Sequence, residues 1–428
     1  MGKDFFGNDI DLEVGYARGS ILKNSFTEKA KQQHAVKKIN TRIAELGEDS
    51  LYIFTGNIRW NQLKSSDLGI TSEEWVGPSL FYPQLKEKAL DHLGGDSDKS
   101  EVAVFNRTSA GIVSSIMALV KPGNILVSFA PDKKAHPSVS RGAKLAGAKL
   151  YEVDTIEELK NVPESSSAVC VVTGVTSELL LLDQELFVEA IKMAKLMNMI
   201  VIVDDAYGAR IRTILLNQPT ALEAGADIVI TNNDKAALHG PRAGIMAGNK
   251  ELVMKASAKA SEYGMEARAP IALGVLRSLE QFKPEELIGE MNVGQSLYEG
   301  LSKKMGEEYV RKTLLGPEIS ADNALRYILK RRGMNSKDCA VVPSEFTTAI
   351  GFILLEKYGI ITTNTCGMPG ARVSLRLKTN EDTVSRFGGT AKVVEAVLDS
   401  IETVGSYLED PRKISDLILG HAEGVITK

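Results

Sequence analysis

The chain has little cysteine, almost no excess of either charge, and no long apolar run. Its three cysteines, Cys170, Cys339 and Cys366, stand too far apart for a zinc knuckle, so a reduced protein without a disulfide framework is expected. Against 51 Lys and Arg stand 55 Asp and Glu, a net charge of −4. A free-standing nucleic-acid binder would need a basic surface instead. No apolar stretch approaches the roughly 18–20 residues of a membrane span. The opening, MGKDFFGNDIDLEVG, lacks the apolar segment of a signal peptide. Internal repeats and low-complexity tracts are absent as well. A cytoplasmic protein with no membrane partner is the expectation. What remains is an ordinary globular composition, 43% apolar and 25% charged over 428 residues, long enough for two or more lobes.

Between residues 100 and 250, short apolar runs alternate with amphipathic stretches. The runs are Val102–Phe105, Ile125–Phe129, Lys149–Val153, Ala168–Thr173, Ile200–Asp204, Asp227–Thr231 and Ala243–Ala247. Such continuous apolar strands belong to a parallel sheet covered by helices on both faces. Helical patterns lie between them at Ser109–Val120, His136–Ala146, Gln184–Met197 and Pro219–Ala224, which predicts a doubly wound α/β domain. A charged helix is expected at Ser25–Leu46, and long helices at Lys250–Ser261, Ala272–Glu280 and Glu285–Met305. Runs at Thr347–Leu355 and Arg372–Leu377, followed by a helical Thr379–Val404, read as a smaller α+β lobe. The expected division is a helical segment at 1–50, a large domain at 51–305 and a small α+β domain at 306–428.

Three segments carry residue types suited to chemistry. In VIVDDAYGAR, an apolar strand ends in Asp204 and Asp205. Ligands of open parallel sheets bind beyond the carboxyl ends of strands, although an aspartate there also serves as a cap. In ADIVITNNDKAALHGPRAGIMAG, Lys235 lies between two apolar strands. A partly deprotonated lysine at such a place forms an imine with an aldehyde; a plain loop lysine is the alternative. In FNRTSAG, hydroxyls and small residues open a helix whose free N–H groups suit a phosphate, with Thr108 or Ser109 as a simple N-cap otherwise.

In that order (phosphate cradle, carboxylate, lysine) the chain resembles the pyridoxal-phosphate enzymes of fold type I. The resemblance implies that Asp204 pairs the pyridine nitrogen, Ala206 packs on the ring face, and Lys235 is the Schiff-base lysine. NNDKAALHGPRAGIMAG is similar, more closely, to the Ser-Gly-Asp-Lys and Gly-Pro-Gln-Ala-Gly segment of bacterial selenocysteine synthase and its archaeal relatives. FTGNIRW at 54–60, LDHLGG before VFNRTSAGI, and SRGAKLAGAKLYEV extend the likeness over about residues 50–250. Asn232 stands where many fold-type-I enzymes have serine, and Arg242 replaces the glutamine of that segment.

The resemblance implies pyridoxal 5'-phosphate as cofactor and a small amino acid or amino sugar acid as substrate. Asn106, Thr108, Ser109, Ala110 and Arg242 would hold the phosphate side of the cofactor, and Thr173 and Asn232 would line its rim. His136 resembles the histidine that stacks on the ring, or it simply starts a helix. Arg372 or Arg376, placed on one strand face, would grip the substrate carboxylate. His239 would act as a nearby partner of Lys235, or lie at the surface. The expected reaction is α-proton abstraction followed by β-elimination or β-replacement. Transamination, racemisation, and selenium or sulfur transfer on seryl-tRNA are the alternatives. The first 50 residues are too short, and the chain too acidic, for a dedicated tRNA-binding domain, so tRNA is not expected as substrate. A homodimer or larger homo-oligomer is expected.

Overall fold

The computed structural model describes all residues except 1, 12–13, 134, 164–166 and 421–428. It divides into two compact units, Asn57–Leu287, and Met1–Gly56 together with Ile288–Lys428. The opening residues therefore do not form a segment of their own. Helix Ser25–Leu46 buries Ala35 in the same core as Phe352 and Ile414, and Tyr52–Ile53 pairs in parallel with Ile360–Ile361. The division falls at residue 287, inside the helix Pro284–Met305, rather than at 305.

The larger unit is built on a seven-stranded sheet. Its strands, numbered in chain order, are β1 Ser100–Phe105, β2 Ile125–Phe129, β3 Lys149–Val153, β4 Ser167–Thr173, β5 Ile200–Asp204, β6 Ile228–Asn232 and β7 Gly244–Asn249. They lie in the order β1-β7-β6-β5-β4-β2-β3, parallel except for β7, which runs antiparallel between β1 and β6. Alternate residues enter two different cores: Val201, Val203 and Val229 on one face, Ile202, Ile228 and Ile230 on the other. Both faces are covered, so each of these aliphatic side chains contributes roughly 1.5–3 kcal/mol of burial. This is a mostly parallel doubly wound α/β architecture, as the seven apolar runs predict. One expected element is missing: Pro219–Ala224 forms turns, not a helix.

The smaller unit combines helices with short strands. Arg311–Thr313, Gly316–Ile319 and Leu375–Arg376 make an antiparallel sheet of three. The run Thr347–Leu355, expected as a strand, lies inside helix Pro343–Tyr358, whose residues are buried from Pro343 through Leu355. A helix buried all round has no polar face and shows no helical period. Arg372 precedes the strand that contains Arg376, so the two do not share a strand face. The helical stretch Thr379–Val404 breaks into Glu381–Phe387 and Thr390–Gly405 at Gly388 and Gly389, both with positive φ. In the tail, helix Pro411–Leu419 forms, while 421–428 lies outside the described residues.

Candidate active site

Register alone gathers the candidate residues at one edge of the large sheet. Thr173 is paired with Asp204, Asp204 with Ile230, and Gly244 with both Asn232 and Phe105. The carboxyl ends of β1, β4, β5 and β6 and the amino end of β7 therefore lie level. Loops leaving that edge carry Thr108, Asp204 and Lys235, which is where open α/β sheets hold their ligands.

Asp204 is buried and accepts a hydrogen bond from the Ala206 N–H at 3.3 Å. Burial pushes its carboxyl up to about 6; the Ala206 N–H and the Lys235 ammonium act in the opposite direction, and Asp205 adds to the rise. A buried carboxylate of this kind gains from a cationic partner. Lys235 Nζ lies 4.7 Å from the centre of the Tyr207 ring, on the turn that follows Asp204. Ala236 and Ala237, directly after the lysine, both take left-handed backbone conformations, with φ of 51° and 64°. Without a glycine there, each costs roughly 1–2 kcal/mol, a kind of strain concentrated at functional sites. On the strand next to Asp204, the buried Thr173 hydroxyl has no hydrogen-bond partner among the described residues.

The helix after β1, Thr108–Leu119, starts without a side-chain cap. Arg107 occupies the N-cap, and its carbonyl accepts from the Ala110 and Gly111 N–H groups. Thr108 and Ser109 therefore belong to the first turn and do not cap it. Gly244 explains how close the strand comes: a Cβ there would lie 2.7 Å from Thr108 N and 2.8 Å from the Arg107 carbonyl. Asn106 points its amide at the Gly264 carbonyl, 3.2 Å away.

Other expected residues have partners inside the protein. Asn232 donates to the Ala206 carbonyl and accepts from Arg210 Nη2 at 2.8 Å, so its amide braces the turn that carries Ala206. His136 caps helix Pro137–Ala146: its Nδ1 accepts from the Ser138 N–H at 3.1 Å. His239 faces Glu286 at 3.5 Å. In the smaller unit, Arg376 is buried on a strand of the antiparallel sheet, paired with Glu318, and Arg372 is half-buried. Burial pushes the Cys366 thiol up to about 11, which removes it as a ready nucleophile.

Several residues escaped the sequence reading. Fully buried Arg210 ties Thr231, Asn232 and the Ala206 carbonyl to His92. Asp205, expected only as a second carboxylate, forms a buried ion pair with Arg212 at 2.5 Å, and the Arg212 guanidinium lies 4.0 Å over the Phe187 ring. Arg59 binds the buried Asp234 at 2.7 Å. The Asp205 and Arg212 pair was within reach of the sequence, seven residues apart in DDAYGARIR.

A buried unpartnered hydroxyl, a desolvated carboxylate, an amine over an aromatic ring and an uncapped helix start fit a flat, phosphate-bearing heterocycle. Residues 310–387 match the UPF0425 C-terminal domain. The chain is 33% identical to the UPF0425 pyridoxal phosphate-dependent protein of Methanothermobacter thermautotrophicus, over 94% of this chain and 100% of that protein. It is 35% identical to the UPF0425 pyridoxal phosphate-dependent protein of Methanosphaera stadtmanae, over 82% and 88%. Among solved structures, the SepCysS–SepCysE N-terminal domain complex aligns with a TM-score of 0.56 at 15% identity, covering 83% of this chain and 95% of that one. Sphingomonas wittichii serine palmitoyltransferase aligns at 0.55 and 14%, covering 87% and 84%. Thermotoga maritima aspartate aminotransferase aligns at 0.51 and 15%, covering 85% and 96%. Those likenesses establish the fold, the α/β architecture of fold-type-I pyridoxal-phosphate enzymes. With about a third of its residues shared along whole relatives, the chain belongs to the UPF0425 family of pyridoxal phosphate-dependent proteins.

Proposed function

We propose that the chain is a pyridoxal-phosphate enzyme that removes the α-proton of a small amino acid or amino sugar acid and then eliminates or replaces a β-substituent. One observation carries this reading: Lys235 and Asp204 meet at the sheet edge beside the unpartnered Thr173 hydroxyl. Bound there, the cofactor supplies an electron-withdrawing ring that stabilises charge at the substrate α-carbon. Lys235 would hold the cofactor's aldehyde, and its Nζ would accept the α-proton. Asp204 would keep a proton on the ring nitrogen, and Ala206 would pack against the ring face. Thr108, Ser109 and Ala110, through N–H groups at the helix start, bind the phosphate together with Arg242. Asn106 would join them at the phosphate, His136 would stack on the ring, and Asn232 would line the cofactor's rim. Arg372 and Arg376 remain the candidates for the substrate carboxylate, on the resemblance alone. The likeness to selenocysteine synthase favours chemistry at the β-carbon over transamination or racemisation. A homodimer in the cytoplasm, acting on a free amino compound and not on tRNA, completes the proposal.

Purified protein mixed with pyridoxal phosphate should gain a visible absorbance band that Lys235→Ala loses. Protein that stays colourless overturns the reading. A panel of amino acids then distinguishes the reactions. A 2-oxo acid with ammonia marks elimination, the pyridoxamine form of the cofactor marks transamination, and a loss of optical rotation alone marks racemisation.

A further inference from the structure

The backbone ladder between β5 and β6 ends where the site begins. Its pairs are Ile202 with Ile228, Val203 with Val229 and Asp204 with Ile230, and the Asp205 N–H closes it on the Ile230 carbonyl at 2.9 Å. Beyond that bond, β5 gives way to a turn through Ala206 and Tyr207. Thr231 and Asn232 continue β6, paired on its other edge with Ile245 and Gly244 of β7. Side chains take over the task of holding the turn to the strand end that leads into Lys235.

One guanidinium spans the gap. Arg210 Nη2 donates to the Ala206 carbonyl at 3.1 Å and to Asn232 Oδ1 at 2.8 Å, while Nη1 donates to Thr231 Oγ1 at 3.1 Å. A planar fork of fixed donors resists shear between the groups it joins. Asn232 donates its own amide to the same Ala206 carbonyl, and the Thr231 hydroxyl donates to the Asp205 carbonyl at 2.9 Å. Tyr207, whose ring faces Lys235 Nζ at 4.7 Å, directly follows Ala206. A shift of this turn therefore moves it against the amine.

Arg210 is itself oriented from outside the site. Its Nη1 also meets His92 Nε2, 3.2 Å away, in the last turn of helix Gly77–Leu93. Arginine only donates, so Nε2 accepts and the imidazole proton sits on Nδ1. Burial, then the guanidinium charge, pushes this imidazole down to about 3, so it remains a neutral acceptor at ordinary pH. An edge-on contact with Phe282, 4.9 Å between ring centres, sets its plane. After Arg210 the backbone opens into a π-helix, Ile211–Leu215, a wide turn that is rare and frequent beside functional sites.

We propose that His92 and Arg210 are positioning residues: the imidazole aims the guanidinium, and the guanidinium sets the Ala206 turn against the Lys235 strand end at the spacing one flat ring requires. The proposal rests on the reading of the site given above. Neither residue takes part in proton transfer; both act through Ala206 and Asn232.

The test compares His92→Leu, which removes the acceptor, with His92→Gln, whose amide oxygen can take the place of Nε2. Folded protein of each is titrated with pyridoxal phosphate. His92→Leu should bind it about tenfold more weakly, the scale of one lost hydrogen bond to a charged group. At saturation its visible band should also show altered ellipticity, a signal that reports how the ring is held and that a mere loss of stability leaves alone. His92→Gln should return affinity to within about twofold of wild type, and the ellipticity with it. Arg210→Lys, which keeps a charge but loses the fork, should match His92→Leu or exceed it. In an Asn232→Ala background, His92→Leu should cost about threefold or less, because the two residues share one network. Histidine-labelled wild-type protein gives a reading that needs no variant: the His92 nitrogen resonances should be those of the Nδ1–H form and should shift when cofactor is added. Folded His92→Leu with wild-type affinity and ellipticity, fully additive losses, or His92 resonances indifferent to cofactor overturn the proposal and leave the cofactor reading standing. Wild-type protein that never gains the band removes both.

Discussion

Replacing Asp204 with Asn should move the stability of the cofactor-free protein and its affinity for pyridoxal phosphate in opposite directions. In the free protein, burial raises this carboxyl from 3.8 to about 6. A carboxyl whose folded value exceeds its unfolded value binds its proton more tightly when folded. Its cost to the fold therefore grows as pH rises from 3.8 through 6, and it is fully present above that window. A rise of that size corresponds to about 3 kcal/mol, of which about 1.5 kcal/mol appears between pH 5 and pH 8. Asparagine escapes this penalty. Cofactor-free Asp204→Asn should thus be more stable than wild type at pH 8, and less so at pH 5. Bound cofactor reverses the balance, because a cationic ring nitrogen repays the buried carboxylate. The variant should bind pyridoxal phosphate about 10- to 100-fold more weakly, the range for losing a hydrogen bond to a charged group. Hydrogen exchange at the amides of β5 measures the first effect within the unit concerned, and absorbance titration measures the second. A stability gain that is absent at pH 8, or equal at both pH values, would refute the reasoning.

Two further outcomes follow from the packing around the same turn. Asp205→Ala strands Arg212 in the core and should cost about 3–5 kcal/mol, whereas Asp205→Leu combined with Arg212→Met should recover most of it; guanidinium unfolding midpoints compare the two. Gly244→Ala drives a methyl group into the backbone of Arg107 and Thr108 and should cost about 1–3 kcal/mol. That variant should weaken binding of pyridoxal phosphate more than that of dephosphorylated pyridoxal, because the defect lies at the helix start; equal losses would contradict the assigned cradle.

The sheet was legible because its signal is local. Each of the seven apolar runs overlaps a strand of the large sheet, and three match to the residue, Ile125–Phe129, Lys149–Val153 and Ile200–Asp204. The same continuous apolar character misled at Pro343–Tyr358, where a helix buried all round imitates a strand. That Asp204 and Lys235 lie at the carboxyl edge of the sheet was legible because both directly follow apolar strands. Their supports were not. Arg59 and Asp234 are separated by 175 residues, and no spacing rule joins a loop before the sheet to one near its end. Arg210 looked like an ordinary charged residue after a turn. Its full burial, and its hold on Asn232, arise only when β5 and β6 lie side by side.

The reversed strand β7 also governs when the site exists. It is the piece that joins β1 to β6, so the uncapped helix start after β1 and the Lys235 loop after β6 sit on opposite sides of it. During synthesis, residues 100–232 can emerge and begin pairing, yet the two halves stay unaligned until residue 249 has been added. A ribosome-bound chain shorter than that has every strand-end carboxylate and hydroxyl in place but no means of closing them around a ligand, so vitamin capture must be a late event in the maturation of this protein.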